Sequence, residues 1–273
     1  MRSNGPMDLP TLAEVRIALS REDLVLGPTV APLAGGTWLY SEPQDHLTAL
    51  VDLTGLGWTP WERRPDGGLS VAATCTIAEL VAIPAPADWT ALPLFRQSAE
   101  SLLQSFKIWN TATIGGNLAT ALAAGALIGL GAALDASVVV WTTDGGERSE
   151  LVADLVLDQR RTTLRPGEVI RSVEFPPHAM GARTAFRRIA LSPLGRAGTV
   201  VAGRRDRDGT TVLAVTGGTT RPEVLRFPEP PSQADLAGEV GGIRTWFTDA
   251  HGAADWRRAM TTRLAEQVRV ELA

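Results

Sequence analysis

The chain has 273 residues, 44% of them hydrophobic and 21% charged, and a formal net charge of −4. That supports one large domain or a few small ones with a buried core, and gives no basic field for nucleic acid. A single cysteine, Cys75, excludes an internal disulfide framework, a thiolate zinc site and a protein-held iron–sulfur cluster; His46, His178 and His251 are scattered and point to no metal.

In chain order, "MRSNGPMDLP" has no apolar run of the kind a secretory signal carries, so a cytoplasmic location is expected. "TLAEVRIAL" places Glu14 three residues after Thr11, the capping-box spacing, and Leu12, Val15 and Leu19 fall on one helical face, which predicts a helix. "TVAPLAGGTWL" reads as an extended segment broken by Gly35-Gly36. "LTALVDLTGL" and "LSVAATCT" read as strands, with the turn signal "PDGG" between them. "TIAELVAI" is a short helix stopped by Pro84, and a longer helix is expected over Leu92 to Phe106.

Ile108 to Leu134 carries no charge. A membrane span needs about 20 predominantly apolar residues, and Asn110, Thr111, Thr113, Gly115, Gly116 and Asn117 interrupt the first third. "LATALAAGALIGLGAALD" therefore predicts a tightly packed buried helix, not a span. "ASVVVWTTDGGERS" is a strand leading into a hairpin turn, and "GEVIRSVEFPP" a strand ended by Pro176-Pro177, the best domain boundary. Beyond it, "TAFRRIAL", "GTVVAGRRDRDGTTVLAVTGG" and "GIRTWFTDA" predict a small antiparallel sheet, and "GAADWRRAMTTRLAEQVRVEL" a closing helix. "RRDRDG" reads as a solvated hairpin tip and "FPEPPSQAD" as a Pro-rich loop. Asp52 and Asp154 sit where caps are expected, and Cys75 reads as a small buried hydrophobe. The class is α+β, with no G-x-G-x-x-G, no G-x-x-x-x-G-K-[ST] and no G-x-S-x-G.

Of six Gly-Gly pairs, those at 67 and 145 follow Asp and read as hairpin turns, and those at 217 and 241 as loops. "LAGGTWL" and "TIGGN" differ: both follow apolar residues and lead into Thr or Asn. Glycine lets successive backbone N–H groups face one concavity, a nest for phosphate, and a helix starting soon after the second pair adds its dipole. Turns needed for close packing explain the same pairs equally well.

"LAGGTWL" with "IWNTATIGGNLATA" resembles the FAD-binding medium subunit of the molybdenum hydroxylases, the family of the xanthine dehydrogenase and carbon monoxide dehydrogenase flavoproteins, whose patterns read A-G-G-T-D-L and I-R-N-x-A-T-I-G-G-N. "LVDLTGL", "ALDASVVVW", "PGEVIRSVEFP" and "ADWRRAM" continue the resemblance in order. It implies an oxidoreductase subunit with a two-subdomain FAD-binding module over residues 1–177, split near 55–65, and a small α+β domain with an antiparallel sheet over 178–273. It implies FAD as cofactor, with its diphosphate between Leu33, Ala34, Gly35, Gly36 and Thr37 on one side and Thr113, Ile114, Gly115, Gly116 and Asn117 on the other. Trp38, Leu39, Thr120, Ile170 and the retained basic residue Arg187 complete the implied site. The implied partners are an iron–sulfur subunit and a molybdopterin subunit, with NAD or another acceptor downstream.

The chain departs from the pattern at Trp38, where an acid is usual, at Trp109, which replaces the arginine of I-R-N, at Leu122-Ala123, which replace Ser-Pro, and at Ala126, which replaces Asp. Trp38 either fills core or packs on the flavin ring. These departures support a rival reading, a stand-alone small-molecule or isomerase- or cyclase-type enzyme of the same fold with weakened or lost FAD use.

Overall fold

Three short parallel strands open the chain: β1 (Glu14–Ile17), β2 (Val30–Leu33) and β3 (Ala49–Asp52), with β3 in the middle and paired to both. The computed structural model describes residues 9–84, 86–101 and 106–273. β1 corrects the helix expected over Thr11 to Leu19. Val15 and Ile17 are β-branched and favour extended backbone, and pairing with Ala49–Asp52 supplies hydrogen bonds that a short isolated helix must nucleate unaided. Ala13 and Ala18 extend the ladder by donating to the Thr48 and Asp52 carbonyls, each at 2.9 Å. Pro32, which has no N–H, is tolerated because β2 is an edge strand. Asp52 caps the 3₁₀ turn Leu53–Leu56, accepting from Thr54 N–H at 2.8 Å.

The next stretch runs β4 (Trp61–Arg63), β5 (Leu69–Ala72), α1 (Ile77–Val81), α2 (Leu92–Glu100), α3 (Phe106–Trp109), α4 (Ile114–Thr120) and α5 (Ala126–Ala133). It continues through β6 (Ser137–Trp141), β7 (Glu147–Leu151), α6 (Val152–Leu155), β8 (Val156–Asp158), β9 (Arg161–Thr162), β10 (Val169–Phe175) and α7 (Pro177–Met180). β4, β5, β10, β6 and β7 form one antiparallel sheet in that order. The helix expected over Leu92 to Phe106 ends at Glu100, and residues 102–105 of that stretch lie outside the described residues. Asp154 lies inside α6, whose N-cap position is Leu151, and makes no capping hydrogen bond among the described residues. The uncharged run is divided: Ala121, left-handed at φ 49°, ends α4, and Gly125 precedes α5. Among the described residues no helix is long and apolar enough to cross a membrane.

A third sheet is an antiparallel meander of β11 (Arg183–Ile189), β12 (Thr199–Arg205), β13 (Thr211–Thr216) and β14 (Glu223–Phe227), followed by α8 (Gln233–Gly242) and α9 (Ala254–Leu272). Both faces of its central strands are covered. Ala202 and Ala214 join the main core around α5, whereas Val201, Leu213 and Val215 pack with Leu264 and Val268 of α9. Double-sided burial explains why β12 and β13 read as apolar runs without alternation.

Three expectations fail here. "GIRTWFTDA" forms no strand; Trp246 makes only an isolated bridge to Thr219, and β14 takes the fourth place. Gly241-Gly242 belongs to α8, whose Ser232 N-cap accepts from Asp235 N–H at 3.1 Å; Gly238, Gly241 and Gly242 dilute its helical signal. The tip of "RRDRDG" is a turn, but Arg204 is fully buried and held by Asp206, Asp135 and the Ala133 carbonyl.

Candidate functional site: two glycine segments and a cavity

Two segments distant in sequence meet at the carboxyl end of β2. A Cβ on Gly35 would lie 1.9 Å from the Thr111 carbonyl oxygen, so only glycine lets the loop after β2 touch the segment entering α4. Gly36 follows at φ +65°, where a side chain would also strike the Tyr40 ring. Tyr40 N–H donates to the Gly36 carbonyl and Ser41 N–H to that of Trp38, both at 2.9 Å, which closes the loop. The N–H groups of Gly35, Gly36, Thr37 and Trp38 meet no acceptor among the described residues. Successive backbone donors left open in this way are available to an anion.

The second pair does a different job. Gly115 N–H donates to the Ala73 carbonyl at 2.9 Å, and its Cβ would lie 2.5 Å from that of Ala73. Gly116 N–H is taken by the Thr113 hydroxyl at 3.1 Å, Ile114 N–H by the Cys75 carbonyl at 3.0 Å and Asn117 N–H by the Thr113 carbonyl at 3.0 Å. The two readings of the glycine pairs thus divide between them: the first offers donors, and the second gives close approach to β5. The second pair also sits within the first turn of α4, not in a loop ahead of a helix. Asn117 Oδ1 accepts from Leu127 N–H at 3.2 Å, tying α4 to the start of α5.

Between the segments lies a cavity of about 480 Å³, within the usual range for small-molecule sites. Leu33, Ala34, Gly35, Gly36, Thr37, Trp38 and Leu39 line it, as do Thr113, Gly115, Gly116, Asn117, Thr120 and Ile170. Two residues of the implied set do not. Ile114 points into the main core, and Arg187, on β11, donates to Glu271 at 2.5 Å and to the Phe186 carbonyl at 2.8 Å. Of the substituted positions, Leu122 reaches the cavity wall, and Trp109 packs against the main core with its indole N–H buried and without a partner among the described residues.

Arg160 and Glu168 also line the cavity and were missed in the sequence. Glu168 stands within the quoted "PGEVIRSVEFP"; Arg160 had no signal, because its place depends on the β8–β9 hairpin. Glu168 is buried and accepts from Arg148 Nε at 3.1 Å, Arg148 Nη2 at 2.7 Å and Arg165 N–H at 2.8 Å. The Arg148 hydrogen bond outweighs burial and holds its carboxyl below the usual range. The Arg160 guanidinium lies 5.2 Å from the centroid of the Trp38 ring. Cys75 is buried, and burial pushes its thiol up to about 12, which suits packing and not nucleophilic chemistry.

The family described as "FAD binding domain in molybdopterin dehydrogenase" matches residues 10–178. The chain belongs to this family, and its cofactor is FAD. Among curated proteins none matches. Quinoline 2-oxidoreductase from Pseudomonas putida 86 superposes with a TM-score of 0.79 at 22% identity, covering 95% of this chain and 96% of that chain. Carbon monoxide dehydrogenase from Oligotropha carboxidovorans gives 0.80 at 19%, covering 95% and 96%. The enzyme from Hydrogenophaga pseudoflava gives 0.78 at 20%, covering 94% and 96%. At these identities the likeness is one of fold. The cavity fits the family's cofactor on its own chemistry: open amides for a diphosphate, and apolar walls for a ring.

Proposed function

We propose that the chain is the FAD-binding electron-transfer subunit of a molybdenum hydroxylase-type complex. It takes electrons from an iron–sulfur subunit, which a molybdopterin subunit feeds, and passes them to NAD or another acceptor. The observation that carries the reading is the row of open amides from Gly35 to Trp38, directly opposite the segment entering α4. Bound flavin supplies electron-transfer chemistry that no side chain here possesses. The chain's own groups bind and orient it. Gly35 to Trp38 hold the diphosphate, Thr113, Asn117 and Thr120 shape the wall around it, and Leu33, Leu39 and Ile170 shield the site from water. The single cysteine agrees with this reading, in which clusters and molybdenum belong to partner chains.

Purification of the tagged chain from its native cells tests this. The expected product is yellow, keeps its flavin spectrum through desalting, releases FAD on denaturation and co-elutes with iron- and molybdenum-containing subunits. A chain that holds FAD yet always elutes alone overturns the relay and leaves a stand-alone flavoprotein. Colourless protein that takes up no added FAD overturns the whole reading.

A further inference from the structure

We propose that Arg160 is the cation that completes the diphosphate site, reaching across the cavity to the anion held by the amides of Gly35 to Trp38. This rests on the FAD reading above. Among the described residues two charged ones line the cavity, and they differ in kind. Glu168 is neutralised by Arg148. Arg160 pairs with no carboxylate among the described residues, and its guanidinium instead covers the Trp38 ring, 5.2 Å from the centroid. A guanidinium held over an aromatic ring keeps N–H groups that no carboxylate occupies, and guanidinium N–H groups match phosphate oxygens two at a time. Trp38 is also the last of the four residues with open amides, so the guanidinium lies one side chain away from the nest.

The backbone fixes Arg160 there. It occupies the tight turn between β8 and β9 in the left-handed region, φ 57°, and its N–H donates at 2.7 Å to the carbonyl of Ala121, itself left-handed at φ 49°. Two non-glycine residues in that region, bonded to each other beside a cavity, are strain held in place by surrounding structure, a pattern that clusters at ligand sites. A diphosphate brings two negative charges into a partly apolar cleft, and neutral amides alone leave them uncompensated. Arg160 supplies the opposite charge.

The test compares FAD with riboflavin, which has the same ring and no phosphate. Quenching of flavin fluorescence is titrated at low and high salt for the native protein, Arg160→Gln and Arg160→Lys. Arg160→Gln is expected to weaken FAD about 10- to 100-fold, the loss of one charge-assisted hydrogen bond, to flatten the salt dependence, and to leave riboflavin unchanged. Arg160→Lys is expected to recover part of the affinity. Unchanged FAD binding in Arg160→Gln overturns the inference alone, and so does a parallel loss of riboflavin, which would place Arg160 at the ring or in the fold. A native protein that binds neither ligand overturns the FAD reading and this inference with it.

Discussion

Gly35 and Gly116 stand in similar words of sequence under different constraints. Alanine at Gly35 forces its Cβ to within 1.9 Å of the Thr111 carbonyl oxygen, so one backbone must move by on the order of 1 Å; overpacking of that kind costs about 1–3 kcal/mol. Alanine at Gly116 meets only the Thr113 hydroxyl at 3.1 Å and gains helix propensity of up to about 1 kcal/mol. Gly35→Ala is therefore expected to lose FAD on desalting and to lower the thermal midpoint of the flavin-free protein by several degrees, whereas Gly116→Ala leaves that midpoint nearly unmoved. Equal destabilisation by both would show that contact between the two segments is not what Gly35 serves. The sequence marked both pairs as unlike hairpin glycines, because neither follows Asp. It could not show that Ala73, Cys75 and Thr113 consume the amides around Gly115, since those partners converge only once β5 and α1 have packed. Arg160 was hidden for the same reason.

Among the elements, α5 is the clearest case of packing over propensity. Every residue from Ala126 to Ala133 is buried, and the helix lies between β13 on one side and α6 on another. A Cβ on Gly131 would lie 2.8 Å from Val152 Cγ1, and one on Gly129 would lie 2.9 Å from Thr216 Oγ1. Replacing either glycine by alanine gains about 1 kcal/mol of helix propensity and costs about 1–3 kcal/mol of overpacking. The second magnitude wins, and each variant is expected to lower the free energy of urea unfolding by a net ~1 kcal/mol, seen as a lower midpoint; a shift upwards would mean that Val152 and Thr216 have room to yield. The buried character of this helix was legible, because a run from Ile108 to Leu134 without a single charge leaves little else to do with it. Its division from α4 was not, because nothing local announces a left-handed Ala121. The segment at Thr11 to Leu19 misled for the converse reason: Leu12, Val15 and Leu19 fit a helical face, but Val15, Ile17 and Leu19 fit alternation as well, and only β3 alongside decides between them.

At the scale of the molecule, the end of α5 is tied to the third sheet through Asp135. Its carboxylate binds Arg204, which is fully buried, and Arg226 at 2.6 Å, while His178 lies 3.7 Å away and Asp206 holds the other edge of Arg204 at 2.9 Å. Burial alone would raise the Asp135 carboxyl, but hydrogen bonds from Arg226 and Arg204, with their charges, outweigh it and bring it to about 2. In the unfolded chain it titrates near 3.9. A folded value below the unfolded one means stability that is fully present above about pH 4 and is lost as the pH falls towards 2. Asp135→Asn removes that charge and leaves Arg204 with Asp206 as its one carboxylate, so a loss of about 3 kcal/mol is expected at neutral pH, the low end for breaking a buried pair. Urea unfolding of both proteins at pH 7, 4 and 3 checks the sign. The gap between them should be largest at pH 7 and narrow towards pH 3 as Asp135 of the unfolded chain takes up a proton while the folded one keeps its charge, because carboxylates away from this cluster titrate alike in both chains and cancel. A gap of constant size down to pH 3 would place the loss in packing around α5 and not in the charge that joins it to the sheet.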